Sequence, residues 1–167
     1  MIRLLLVTHE PIGRSMAGPA IRVVELARAL AADVHPTIAT PYPPDAALSP
    51  NVAVEQYQFG HPSSLARLSD SADVVLVQGF TLQKFPFLAD LDVPIVVDLY
   101  CPFHLENLER LRAIAAPDDE RRAAVAADLQ ALIGQISRGD FFLCANERQR
   151  DLWLGMIALA GRITPEL

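Results

Sequence analysis

Short apolar runs alternate along this chain with longer segments whose apolar residues recur every three or four positions. The runs are Ile2–Val7, Val34–Thr40, Val52–Tyr57, Val74–Val77, Ile95–Leu99 and Phe141–Cys144. Several are apolar on both faces, as strands covered on both sides by helices should be. Val52–Tyr57 alternates instead, with Tyr57 out of phase, and predicts an edge strand. Between the runs, Ala20, Val23, Val24, Ala27, Leu30 and Ala31 form one stripe of a helix over Pro19–Ala32, with Arg22, Glu25 and Arg28 opposite. Pro19 suits its first position, where a missing N–H interrupts no bond. A second helix follows Pro102 with Leu105, Leu108 and Leu111, and Pro117 ends it. Asp118-Asp119-Glu120 then opens a helix with acid at the favourable end of its dipole. That helix is expected to bury Val125, Leu129, Leu132, Ile133 and Ile136 and to stop at Gly139. Asn146 is placed to cap a last helix carrying Leu152, Trp153, Met156 and Leu159. Around Gly79–Leu91, Pro86 interrupts any helix, and Thr40–Pro50 reads as a loop.

Strand and helix in repeated alternation predict an α/β fold: a doubly wound, mostly parallel Rossmann-like sheet with helices on both faces, in a single domain. The 167 residues suffice for one domain with a sizeable core, and 51% hydrophobic with 20% charged residues describes a packed globule. The net charge of -6 argues against nonspecific nucleic-acid binding, which needs a basic footprint. A small anionic ligand needs only a local site. No stretch approaches the roughly 20 apolar residues that cross a bilayer, and Leu4–Val7 is too short for the apolar region of a signal peptide. Cys101 and Cys144 fit no metal or CxxC spacing and are expected as buried free thiols, so the expected location is cytoplasmic. Peripheral contact with a membrane stays an alternative without a basic face to support it.

In such a sheet, ligands bind outside the carboxyl ends of the strands. Gly18 lies just before the first helix, whose free N–H groups and dipole favour an anion; Pro19 removes one donor and leaves those of Ala20 and Ile21. The spacing Gly13-x4-Gly18 is neither the dinucleotide fingerprint nor a P-loop, and no acid ends the second strand to hold a ribose. A plain turn is the competing reading. The segment from Asp98 to Asn107 places a carboxylate at the end of a buried strand and His104 in the first turn of a helix, where it can bond a sugar hydroxyl or a reacting oxygen. The alternative is that Asp98 caps its loop and His104 sits on the surface. His9 ends the first strand beside Glu10, either as a ligand contact or as a loop histidine bonded to backbone. His35 and His61 look ordinary, Glu147, Arg148 and Arg150 read as a solvated helix start, and Phe80, Phe85 and Phe87 as packing. A phosphoacceptor receiver domain needs an acidic pair after the first strand, and only Glu10 is there.

The stretch from Ile2 to Ala31 resembles the start of GT-B glycosyltransferases of the family 4-like (group 1) kind, in which a glycine loop precedes the first helix. Gly18, Glu25, Leu26, Ala27 and Leu30 fit that pattern, and "ADVVLVQGF", "VPIVVDLYCPFHLEN" and "GDFFLCANERQRDLWLGMIALAGRI" are similar to later strands of the same N-terminal domain. The resemblance implies retaining transfer of a sugar from a nucleotide-sugar donor to a sugar or lipid-linked acceptor, without a metal or other cofactor. It further implies that Gly18, next to Ala17 and with His9 nearby, approaches the donor diphosphate. The family's sugar-holding histidine maps to His104, with Asp98 as the neighbouring alternative. Two departures are visible: Ala17-Gly18 stands where the family has Gly-Gly, and the Asp98–His104 spacing is long. Residues 1–161 are thus expected as the acceptor-side domain and 162–167 as the start of a linker, with the donor-binding domain and its E-x7-E pair absent and the piece inactive alone. The alternative is a noncatalytic Rossmann-like module that pairs with a separate donor-binding subunit.

Overall fold

The computed structural model describes residues 1–44 and 50–165. Residues 45–49 of the expected Thr40–Pro50 loop, and 166–167 of the expected linker, lie outside the described residues. Six strands form a parallel sheet flanked by helices, an α/β Rossmann-like fold as expected from the pattern. In chain order the elements are β1 (Ile2–Val7), α1 (Gly18–Leu30), β2 (Val34–Thr40), β3 (Ala53–Gln56), α2 (Pro62–Ser69), β4 (Val74–Gln78) and α3 (Thr81–Lys84). A 3-10 helix (Pro86–Asp90) leads to β5 (Ile95–Asp98), α4 (Phe103–Arg112), α5 (Asp118–Arg138), β6 (Phe141–Leu143) and α6 (Glu147–Leu159). The strand order is β3-β2-β1-β4-β5-β6. Packing divides the chain into two compact units, Met1–Val96 and Val97–Leu167, and the division falls within β5.

In the first unit β1 lies between β2 and β4, with Ile2 opposite Val34 and Leu4 opposite Val74. Leu4 to Val7 are buried, as a central strand requires. Pro36 interrupts no bond to β3, because that pairing starts only at Thr37 opposite Ala53. The alternating run is the edge strand β3. α1 buries Ala20, Val23, Val24 and Ala27, whereas the expected stripe overreached: Leu30 is exposed and Ala31 only half-buried. The chain breaks at Pro86 into α3 and the 3-10 turn. α2 had no counterpart in the pattern. It is eight residues long, and Leu65 is the apolar side chain that it buries.

In the second unit Leu99 N–H donates to the carbonyl of Leu143 at 2.8 Å, joining the end of β5 to β6. The Asn146 side chain accepts from Gln149 N–H at 3.0 Å and caps α6, which buries Trp153 and Ile157. α5 buries Ala131, Leu132, Gln135 and Ile136, but Leu129 and Ile133 are exposed, as are Leu105 and Leu108 of α4. A repeat of apolar residues fixes which face they share, not whether another element covers that face. Gly139 ends α5 as expected, with φ -58° and ψ 133°. A Cβ there would stand 2.5 Å from the Phe142 ring and 2.9 Å from Val97 Cγ2, so close packing demands the glycine.

Candidate functional site

The amino end of α1 is open. Ala17 precedes the helix in an extended conformation and offers no side-chain cap; no acidic residue stands in the first turn to offset the dipole. One sequence expectation needs correcting: Ile21 N–H donates to the Ala17 carbonyl at 3.0 Å, so it is not free for a ligand. Among the described residues, the amides that remain open are those of Gly18 and Ala20. A Cβ built on Gly18 would meet nothing within 4 Å. The chain's own packing therefore does not require glycine at 18; what the missing side chain keeps clear is space outside the chain. Gly18, Ile21, Arg22, Glu25 and Leu26 line an open depression of about 400 Å³ there.

His9, in the loop after β1, has both ring nitrogens engaged. Nδ1 is 2.9 Å from the Tyr57 hydroxyl and Nε2 is 3.1 Å from Thr81 Oγ1. Tyr57 Oη also reaches the Thr8 carbonyl at 3.1 Å, and Thr81 Oγ1 the Gln78 carbonyl at 2.6 Å. These four links need four hydrogens, whereas two hydroxyls and a neutral imidazole carry three. Burial, with Lys84 adding to it, lowers the His9 pKa to about 4, so the ring is neutral near pH 7. Burial likewise pushes the Tyr57 phenol up, so it stays protonated. Phe85 packs edge-on against Tyr57 at 5.5 Å and stacks on His9 at 6.0 Å. The loop is thereby pinned to the ends of β3 and β4. Thr40 Oγ1 adds a bond to the Glu10 carbonyl at 2.7 Å. Thr81 lies in Gly79–Thr81, a strand end where a ligand is sought, whereas Tyr57 escaped as a site residue; the one hint was its falling out of phase with its strand.

In the second unit, Asp98 closes β5 and is buried. His104 stands in the first turn of α4, but not on the surface as one reading had it: it is 9% exposed. Neither ring nitrogen has a hydrogen-bond partner, so Asp98 is not bonded to it. Trp153 lies beside it with ring centroids 5.9 Å apart, and Trp153 Nε1 is also buried without a partner. Burial lowers the His104 pKa, and the charge of Asp128 pulls it part of the way back. Asn107 Nδ2 donates to Asp128 Oδ2 at 3.0 Å. Nothing in the spacing of the sequence announced Asp128, and Trp153 read only as core. The cysteines are free but only half-buried, against the expectation of burial. Cys101 Sγ donates to Glu106 Oε2 at 2.9 Å, and burial together with that carboxylate pushes its pKa up to about 12. His35, His61, Glu147, Arg148 and Arg150 are exposed. No helix among the described residues is long and apolar enough to cross a membrane.

No family description matches the sequence, and no curated protein does. Solved structures do resemble it. Sucrose-phosphate synthase from Thermosynechococcus elongatus, a GT-B glycosyltransferase, superposes on 93% of this chain with a TM-score of 0.65 at 14% identity. The chain spans 45% of the length of that protein. A short-chain dehydrogenase/reductase from Veillonella parvula, solved with NADP, matches over 86% of this chain and 68% of its own, with a TM-score of 0.50 at 16% identity. At such identities the likeness is one of fold. The class is therefore a glycosyltransferase-like, Rossmann-type fold.

Proposed function

We propose that this chain is the N-terminal, acceptor-side lobe of a retaining, family 4-like GT-B glycosyltransferase that moves a sugar from a nucleotide-sugar to a saccharide or lipid-linked acceptor. The observation that carries this reading is the superposition of nearly the whole chain on somewhat less than half of a GT-B transferase, the proportion of one lobe. The site geometry supports it. In the first unit the open amides of Gly18 and Ala20, with Ala17 extended before them, suit a diphosphate, and the space beside Gly18 admits it. His9, with both nitrogens engaged, serves by fixing the loop that leads to Gly18. In the second unit His104 carries two nitrogens without partners and is assigned to a sugar oxygen, with Asp98 at the end of the neighbouring strand. The competing dinucleotide reading lacks the G-x-G-x-x-G fingerprint in the loop before α1, where the glycines are Gly13 and Gly18.

The test is a thermal-shift series with UDP-glucose, GDP-mannose and ADP-glucose on this chain joined to its donor-binding lobe. A donor at 100 times its dissociation constant adds about 2.7 kcal/mol of apparent stability. One of the three is expected to raise the midpoint, and Gly18→Val to abolish the rise. A midpoint indifferent to all three, or a rise untouched by Gly18→Val, overturns the assignment.

A further inference from the structure

α4 and α5 pack together in the second unit and leave apolar side chains uncovered. Leu105 and Leu108 on α4, and Leu129 and Ile133 on α5, are exposed, each pair one turn apart on its helix. Asn107 Nδ2 donates to Asp128 Oδ2 at 3.0 Å and clasps the two helices. Leu108, Leu111, Val125, Ala126 and Leu129 line a cleft of about 470 Å³ between them, within the range of small-molecule sites. Arg112, Arg121 and Arg122 line it too, with one carboxylate, Asp118. Arg112 ends α4, and Arg121 and Arg122 stand near the start of α5, so the charge gathers where the two helices join.

Three cations against one acid make the lining positive on a chain whose net charge is -6. Arg112 pairs with Glu109 at 3.1 Å, and Arg121 with Asp118. Both are exposed pairs within one helix, which contribute little and are readily exchanged for a ligand. Arg122 has no ion-pair or hydrogen-bond partner among the described residues.

These charges decide between occupants. A second copy seated about a twofold axis would set arginines against arginines. A bilayer surface needs a basic face, and over the two helices six carboxylates outnumber five arginines. A single anionic amphiphile needs what the cleft has: an apolar floor for its chain and guanidinium forks for its head. A phosphate head can be esterified to both the chain and a sugar and still keep a negative charge, whereas a fatty carboxylate joined to a sugar is neutral.

We propose that this cleft holds the apolar chain of a lipid phosphate, with its head against Arg112, Arg121 and Arg122, and so selects a lipid-linked acceptor over a free saccharide. The acceptor role rests on the transferase reading; the binding does not. The experiment titrates monomeric dodecyl phosphate into the 167-residue chain by isothermal titration calorimetry. Dodecyl maltoside, with an uncharged head, and butyl phosphate, with little chain, are the controls. Dodecyl phosphate is expected to bind one to one and about tenfold more tightly than either. Arg122→Gln should weaken it about fivefold, the worth of one arginine facing an anionic head. Leu129→Ser should weaken it about tenfold and leave butyl phosphate unchanged. Both side chains are exposed, and circular dichroism checks that the variants fold; Leu108→Ser replaces Leu129→Ser if that one does not.

Equal binding of dodecyl maltoside, or indifference to either variant, overturns the proposal. So does self-association that Leu129→Ser removes, which gives the cleft to a second copy. Adsorption to phosphatidylglycerol vesicles without binding of the monomeric amphiphile overturns it as well, in favour of a bilayer face. If the two-lobed protein responds to a nucleotide-sugar while the cleft takes no dodecyl phosphate, the transferase reading stands and the lipid carrier falls. If the cleft binds as expected while no nucleotide-sugar is bound, the lipid site stands and its part in sugar transfer falls.

Discussion

Replacing His104 with methionine should make this protein more stable. The residue is nine-tenths buried, and both ring nitrogens lack partners. Each buried polar group left unpaired costs about 1–3 kcal/mol. Methionine fills a similar volume, carries no strong polar atom and adapts to irregular gaps. Against the gain stands the loss of the ring contacts with Trp153 and Phe103, about 0.5–1.5 kcal/mol per aromatic pair. Taking like ends of these ranges, the balance is a gain of roughly 1–3 kcal/mol, which for a chain of this size corresponds to a rise in midpoint of about 2–12 °C. The assay is thermal unfolding by far-UV circular dichroism above neutral pH, where the imidazole is uncharged. A midpoint that falls refutes the reasoning, because it would mean the nitrogens are satisfied, for instance by an ordered water. On the proposed transferase function, the rise should come with loss of sugar transfer, the signature of a group retained for function at the expense of stability.

Gly139→Ala should destabilise the chain by about 1–3 kcal/mol, as overpacking does, since the new methyl would stand 2.5 Å from Phe142; an unchanged urea midpoint would show that the ring moves aside freely. The depressed affinity of His9 sets a sign: its contribution is complete above about pH 6.5 and is lost as the pH falls toward about 4, because the unfolded chain binds the proton first. His9→Gln should flatten that part of the stability profile, and an identical slope in the variant would count against a buried neutral ring.

The strands were legible because a buried parallel sheet writes itself as apolar runs, and β1 and β2 begin and end where those runs do. α6 was legible because Asn146 is a cap with a local mechanism. α2 was not: one buried leucine in eight residues makes no period. The exposure of Leu105, Leu108, Leu129 and Ile133 was hidden for a different reason, since periodicity marks a stripe and is silent on its cover. Of the site, sequence placed His104 on its helix and Gly18 at the head of α1. It could not show that His104 lacks partners, nor that Tyr57 lies beside His9 across 48 positions of chain. Those are facts of three-dimensional adjacency between residues that no local rule connects.

While the ring is neutral, the four links through His9 share only three hydrogens, so one link is vacant. Turning a hydroxyl or exchanging the imidazole tautomer passes that gap to the next link without moving a heavy atom. The gap travels between the Thr8 carbonyl beyond β1 and the Gln78 carbonyl that closes β4. Whatever tugs on a carbonyl at one end is thereby felt as a change of proton placement at the other.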